Sequence, residues 1–264
     1  MEITSGAAVL AAESAGSGPD VLLVHAGVTD QRSWRQVVEA LPDHRCLTYD
    51  ARGYGRTTFE PGDGWSSVDD ALAVLDAYDV TSAVVVGASM GGRTSLDLAL
   101  QHPDRVRALV LIGPAVSGAP EATYEPEVLA LDEEWEAAEE RGDLETVNRM
   151  EARVWLDGPA AVEGRVSGAS RELFLEMNGR ALAADDPGTQ RDDVAAWDRL
   201  AEIAAPTLLL VGDLDLQYIK HGVAHAASSI PGARLVELPG VAHLPHLEGD
   251  ERTLAEIAAF VASV

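Results

Sequence analysis

The chain has 264 residues, 47% of them hydrophobic, which is enough for one large domain with a sizeable core and too apolar for global disorder. Lys and Arg total 19 against 44 Asp and Glu, and the formal charge of −25 argues against nucleic acid and anionic membrane surfaces as partners. The single cysteine, Cys46, sits in the strand-like run HRCLTYD; it leaves no intramolecular disulfide and no Cys2His2 zinc site, and a thiol buried there makes a poor nucleophile.

The first twenty residues carry Glu2 and Glu13 and lack a basic start before an apolar run, so no secretion signal is expected. Apolar stretches such as LVLIG and TLLLVG are too short to span a membrane. The expectation is a cytoplasmic protein. Residues 2–5 and 8–13 read as a short antiparallel pair. VLLVH (21–25) is a strand rich in branched residues, and residues 33–41 follow as a helix with Ser33 as N-cap. RCLTYD (45–50) is the next strand, closed by the glycine-rich turn ARGYGR. Val68, Leu72, Leu75 and Tyr78 recur at helical spacing over 66–78. AVVVG (83–87) is a continuous apolar strand, residues 90–103 a helix stopped by Pro103, and VRALVLIG (106–113) another strand. PTLLLVG (206–212), ARLVELPG (233–240) and a final helix at 249–263 complete the series. Continuous apolar strands alternating with helices imply a parallel sheet covered on both faces.

Between 117 and 200 the alternation breaks. Val128, Leu131, Trp135 and Ala138, then Leu144, Val147, Met150 and Val154, fall at helical spacing, and no strand-like run appears. Residues 121–145 hold eleven acidic side chains and one Arg, the pattern of a solvated helical face. The division expected is a core of 1–116 and 201–264 with a helical cap at 117–200. A cap roofs a pocket, so Trp135, Trp155, Phe174, Leu175 and Met177 are candidate lining residues, each equally readable as the cap's own core.

The stretch VVVGASMGGR contains G-x-S-x-G between a strand and a helix. A serine on so sharp a turn needs small neighbours, which Gly87, Ala88, Gly91 and Gly92 supply, and the helix start behind it offers N–H groups to a developing negative charge. Ser89 is therefore the candidate nucleophile. Its base must be a histidine held by an acid. His44 and His102 sit at element edges, and His221 and His225 lack a third metal ligand. His243 lies in LPGVAHLPHLE, after the last strand, where parallel sheets place their chemistry; His246 is its rival. LLLVGDLDLQ offers Asp213 and Asp215 as the acid.

These stretches resemble the α/β-hydrolase superfamily: VLLVHAG…W at 21–34, YDARGYGRT at 49–57, GASMGGR at 87–93, QHPDRVRALVLIGP at 101–114, APTLLLVGDLD at 205–215 and LPGVAHLPHLE at 238–248. The resemblance implies an α/β-hydrolase fold with a mostly parallel, eight-stranded sheet, helices on both faces and a helical cap insertion after the sixth strand. Its G-x-x-D pattern selects Asp215 over Asp213. It implies a catalytic set of Ser89, Asp215 and His243, and an oxyanion hole of the Gly27 and Met90 N–H groups; His25 becomes a structural residue of its loop. The family's His-Gly pair stands here as His25-Ala26, and the second Gly of its histidine turn as Ala242. An aspartate nucleophile, used by dehalogenases and epoxide hydrolases of this fold, is absent. The activity implied is hydrolysis of a small or medium carboxylic ester, lactone or related acyl compound, a small-molecule substrate, without metal or organic cofactor. The alternatives are a C–C hydrolase, lyase or perhydrolase using the same three residues, and a receptor-like relative without turnover.

Overall fold

The computed structural model describes residues 1–124, 126–191 and 194–264. Among the described residues nine strands are β1 (Glu2–Ser5), β2 (Ala8–Gly16), β3 (Asp20–Val24), β4 (Arg45–Tyr49), β5 (Thr58–Phe59), β6 (Ala83–Ala88), β7 (Val106–Ile112), β8 (Thr207–Gly212) and β9 (Arg234–Leu238). They form one sheet in the order β1-β2-β4-β3-β6-β7-β8-β9, with β5 paired to β2. β1 and β2 form the antiparallel pair, with Ile3 opposite Leu10; from β4 to β9 every pairing is parallel. The eight strands expected are those on the main path. The ninth is the two-residue β5, too short to carry a hydrophobic period.

All six residues of β6 are buried, and so are all six of β8. Alternate side chains feed two cores. Val85 joins Leu22, Leu109 and Leu209 on one face, where α2 (Ser67–Ala77), α3 (Met90–Gln101) and α8 (Gln217–Ser229) pack. Val84 and Val86 join Leu23, Val110 and Leu210 on the other, under α1 (Arg35–Ala40) and α10 (Glu251–Val261). α2 is capped by Ser66, whose Oγ accepts from the Asp69 N–H, and α10 by Asp250, whose carboxylate accepts from the Thr253 N–H at 2.7 Å. The cap expected at Ser33 is instead Asp30: a 3-10 turn, Gln31–Trp34, precedes α1, and the Asp30 carboxylate accepts from the Arg32 N–H. Ser33 Oγ donates to the Asp30 carbonyl. Asp30 thus caps the 3-10 turn, and α1 continues from Trp34 without a side-chain cap of its own.

Between β7 and β8 the described residues form helices and turns: α4 (Pro126–Leu129), α5 (Asp132–Glu140), α6 (Leu144–Glu151), a π-helical turn (Ala152–Asp157) and α7 (Ala169–Leu182). The end of this segment is laced to the loop before α2, where the Gly64 N–H donates to Thr189 O and the Arg191 N–H to Trp65 O. A short helix, α9 (Pro245–Glu248), precedes α10. Among the described residues no helix is long and apolar enough to cross a membrane.

Candidate active site

Ser89 sits between the last residue of β6 and the first of α3, with φ 50° and ψ −113°. This region is costly for a residue with a β-carbon, and it persists because the surroundings dictate it. The Ser89 N–H donates to Ile112 O at 2.9 Å, and its carbonyl accepts from the N–H groups of Arg93 and Ala115. The glycines around it leave no room for anything larger. A β-carbon on Gly91 would stand 2.0 Å from the Val24 carbonyl oxygen, and one on Gly92 2.6 Å from Pro114 Cβ. The turn therefore brings α3 hard against the carboxyl ends of β3 and β7.

His243 and Asp215 meet against Gly113, between the Ile112 and Ala115 backbone groups that hold Ser89. Nδ1 of His243 donates to Asp215 Oδ2 at 2.8 Å, with both side chains 1% exposed. The other oxygen of Asp215 accepts from the Leu216 N–H, so the carboxylate is held at both ends. Asp213 serves the loop instead, accepting from the Gly240 N–H at 2.7 Å. Gly113, with φ 47°, closes the gap between the pair and the serine turn; a β-carbon there would lie 3.0 Å from His243 Nδ1 and 3.1 Å from Asp215 Oδ2. His243 Nε2 is buried and has no hydrogen-bond partner among the described residues, so the link from it to Ser89 Oγ is not closed in this structure. Such contacts are commonly long before substrate arrives. The Trp155 ring, on the π-helical turn, lies 4.9 Å from the His243 ring. Arg165 fastens that turn to the histidine loop: it donates to Leu156 O, Gly240 O and Glu248, whose other oxygen accepts from the Ala242 N–H.

The two other buried histidines have different surroundings. His25 donates from Nδ1 to Ala26 O and accepts at Nε2 from the Ala51 N–H, which fixes the loop after β3; burial lowers its pKa. His246 stacks on Trp34 with ring centroids 4.3 Å apart, and neither ring nitrogen has a partner among the described residues. Burial, then the neighbouring His243, pushes its pKa down to about 3. An unfolded histidine titrates near 6.5, so below that pH the unfolded chain binds a proton that folded His246 refuses. Stability is therefore expected to fall as pH drops from about 6.5 toward about 3, by up to about 1.4 kcal/mol per pH unit for this group. His246→Phe keeps a stacked ring and removes two unpaired buried nitrogens. Urea denaturation should find it as stable as the parent or up to about 2 kcal/mol more stable at pH 7, with a shallower acid limb; a loss of stability at pH 7 would refute this.

Gly27 lies beside Met90. A β-carbon on Gly27 would be 3.6 Å from Met90 Sδ, 3.7 Å from Met90 Cβ and 3.3 Å from the Tyr54 hydroxyl. Met90 opens α3, where backbone N–H groups have no partner within the helix. Ser89 faces a cavity of about 590 Å³ walled by Pro114, Val116, Tyr124, Trp197, Tyr218 and Ile219 among others. Tyr124 and Tyr218 meet edge to face at 5.4 Å. Of the five side chains expected in the pocket, none lines this cavity. Leu175 is partly buried against the second core. Trp155 packs on His243. Trp135 donates to Glu139 and packs on the first core. Phe174 and Met177 are fully buried in the second core, Met177 Sδ accepting from the Asp30 N–H. The wall residues the sequence reading passed over had a positional signal. Apart from Trp197, in a 3-10 turn (Ala196–Asp198) ahead of β8, they follow β7 or begin α8, past the carboxyl ends of strands.

The chain belongs to the family with the alpha/beta hydrolase fold, whose model matches residues 19–250. Among its relatives, it is similar to rhodomycin D methylesterase of Streptomyces sp. (strain C5), at 30% identity over 97% of this chain and 96% of that one. It is similar to the pimeloyl-[acyl-carrier protein] methyl ester esterase of Nitrosospira multiformis, at 26% identity over 97% and 99%. Among solved structures, a thermophilic esterase from Thermogutta terrifontis superposes with a TM-score of 0.79, at 25% identity, covering 100% of this chain and 98% of that one.

Proposed function

We propose that this protein is a serine hydrolase that cleaves a small or medium carboxylic ester or lactone through an acyl-enzyme. One observation carries the reading: a buried, hydrogen-bonded Asp215–His243 pair packs against Gly113, a residue flanked by the backbone groups that hold a serine in a strained turn opening onto an apolar cavity. Ser89 attacks the carbonyl carbon as His243 Nε2 takes its proton. Asp215 holds the ring so that Nε2 faces the serine, and stabilises the imidazolium that forms. The Gly27 and Met90 N–H groups receive the oxyanion. The imidazolium then protonates the departing alcohol, and a water deprotonated by His243 releases the acid and frees Ser89. The helical segment 117–200 acts as a cap that limits what enters, and the 590 Å³ cavity takes the bulkier, apolar part of the substrate. The substrate is a small molecule, and the reaction calls for no metal or organic cofactor. The relatives named as methyl ester esterases support the choice of ester over other acyl bonds.

Hydrolysis of p-nitrophenyl esters from acetate to decanoate tests this, with wild type set against Ser89→Ala. A rate that peaks at a medium acyl length and disappears in the variant supports the proposal. Rates independent of Ser89 would overturn it.

A further inference from the structure

A second cavity, of about 380 Å³, is bounded by Met90, the residue after Ser89, and by Arg52, Tyr54, Trp65, Ala181 and Gln190. Much of its polar wall is already engaged. Arg52 donates from Nε and Nη2 to the Asp70 carboxylate and from Nη2 to Ser5 O, and its guanidinium lies 5.1 Å above the Trp65 ring. Gln190 donates to Ser67 Oγ. Tyr54 differs. Its N–H closes a turn onto Ala51 O, and its ring sits edge to face with His25 at 5.1 Å, a histidine itself held by two backbone bonds. The ring is thus held in place and half-buried, yet its hydroxyl has no hydrogen-bond partner among the described residues. That hydroxyl reaches the surface of Gly27, within contact of where Met90 meets it. A rigid donor therefore stands where the second cavity adjoins the two proposed oxyanion donors. Burial raises its pKa to about 12, so it keeps its proton at any working pH.

We propose that the Tyr54 hydroxyl is a substrate-binding donor, and that the 380 Å³ cavity receives the part of the ester carrying an ether, carbonyl or hydroxyl oxygen close to the scissile carbonyl. This rests on the ester-hydrolase reading of the site. It makes the two cavities unlike: the larger selects for apolar bulk, and the smaller for an acceptor oxygen placed a few bonds from the reacting carbon.

The test uses p-nitrophenyl methoxyacetate and p-nitrophenyl butyrate, which differ by an oxygen in place of a methylene. The ratio of their kcat/KM values is compared between wild type and Tyr54→Phe, so the inductive activation of the ether-bearing ester cancels. The ratio should fall about five- to tenfold in Tyr54→Phe, the size of one neutral hydrogen bond. It should not move in Tyr49→Phe, which removes another phenol from the same cavity. A ratio within about twofold of wild type in Tyr54→Phe, at the resolution of such kinetics, or an equal fall in both variants, overturns the proposal. Calorimetric binding of the uncleaved esters to Ser89→Ala, with and without Tyr54→Phe, reads the same ratio without turnover. Activity surviving in Ser89→Ala would refute the serine mechanism, while the ratio would still report on Tyr54.

Discussion

Ser89→Ala is expected to lower the turnover of a p-nitrophenyl ester by about 10⁴- to 10⁶-fold. The size follows from the site's construction. The surrounding protein sets the serine's backbone, through the Ile112 and Ala115 hydrogen bonds and the glycines against which the turn packs. Alanine keeps that backbone, so the variant loses the attacking oxygen and little else. Its thermal midpoint should stay within a few degrees of wild type, and its burst of p-nitrophenol on mixing should vanish. A variant that keeps its burst would place the nucleophile elsewhere.

Asp215→Asn is expected to cost about 10⁴-fold in turnover. An amide in place of the Oδ2 carboxylate can present an N–H to His243 Nδ1. The ring must then carry its proton on Nε2, the atom that has to accept one from Ser89. Asp213→Asn is the matched comparison, two residues away on the same loop. Asp213 meets a backbone N–H at an exposed position, and an asparagine oxygen can still accept it. Turnover there should remain within about tenfold of wild type. Steady-state rates of the two variants on one ester decide the matter, and equal losses would remove Asp215 from its assigned role.

Much of this architecture was legible in the chain. The continuous apolar strands announced a parallel sheet because both of its faces are covered, and a side chain such as Val85 has no wet side to advertise. The site loops were legible for a related reason: strand-end turns carry glycine and acid where the backbone must bend tightly. The pocket was not. Phe174 and Met177 are large and apolar, and nothing in their spacing distinguishes packing inside a helical segment from facing a substrate. The walls came instead from Pro114 to Tyr124, from the first turns of α8 and from Trp197, in stretches whose small and mixed residues carry no period. Tyr54 was hidden in a glycine-rich turn. Its importance depends on a contact with Gly27, twenty-seven positions away in sequence, which no local pattern encodes.

The bonds from Arg165 have a consequence for anyone grafting parts between members of this family. Leu156 lies before β8, whereas Gly240 and Glu248 lie after β9, and one guanidinium joins them. Transplanting the 117–200 segment from another protein would remove Arg165 and leave Glu248 without its cation. The same carboxylate orients the backbone at Ala242, next to His243. A chimera that ignores this would lose the ion pair that steadies Glu248 beneath the loop carrying His243. Grafts should therefore carry residues 240–248 with the segment, because the two stretches form one transplantable unit despite the two strands that separate them in the chain.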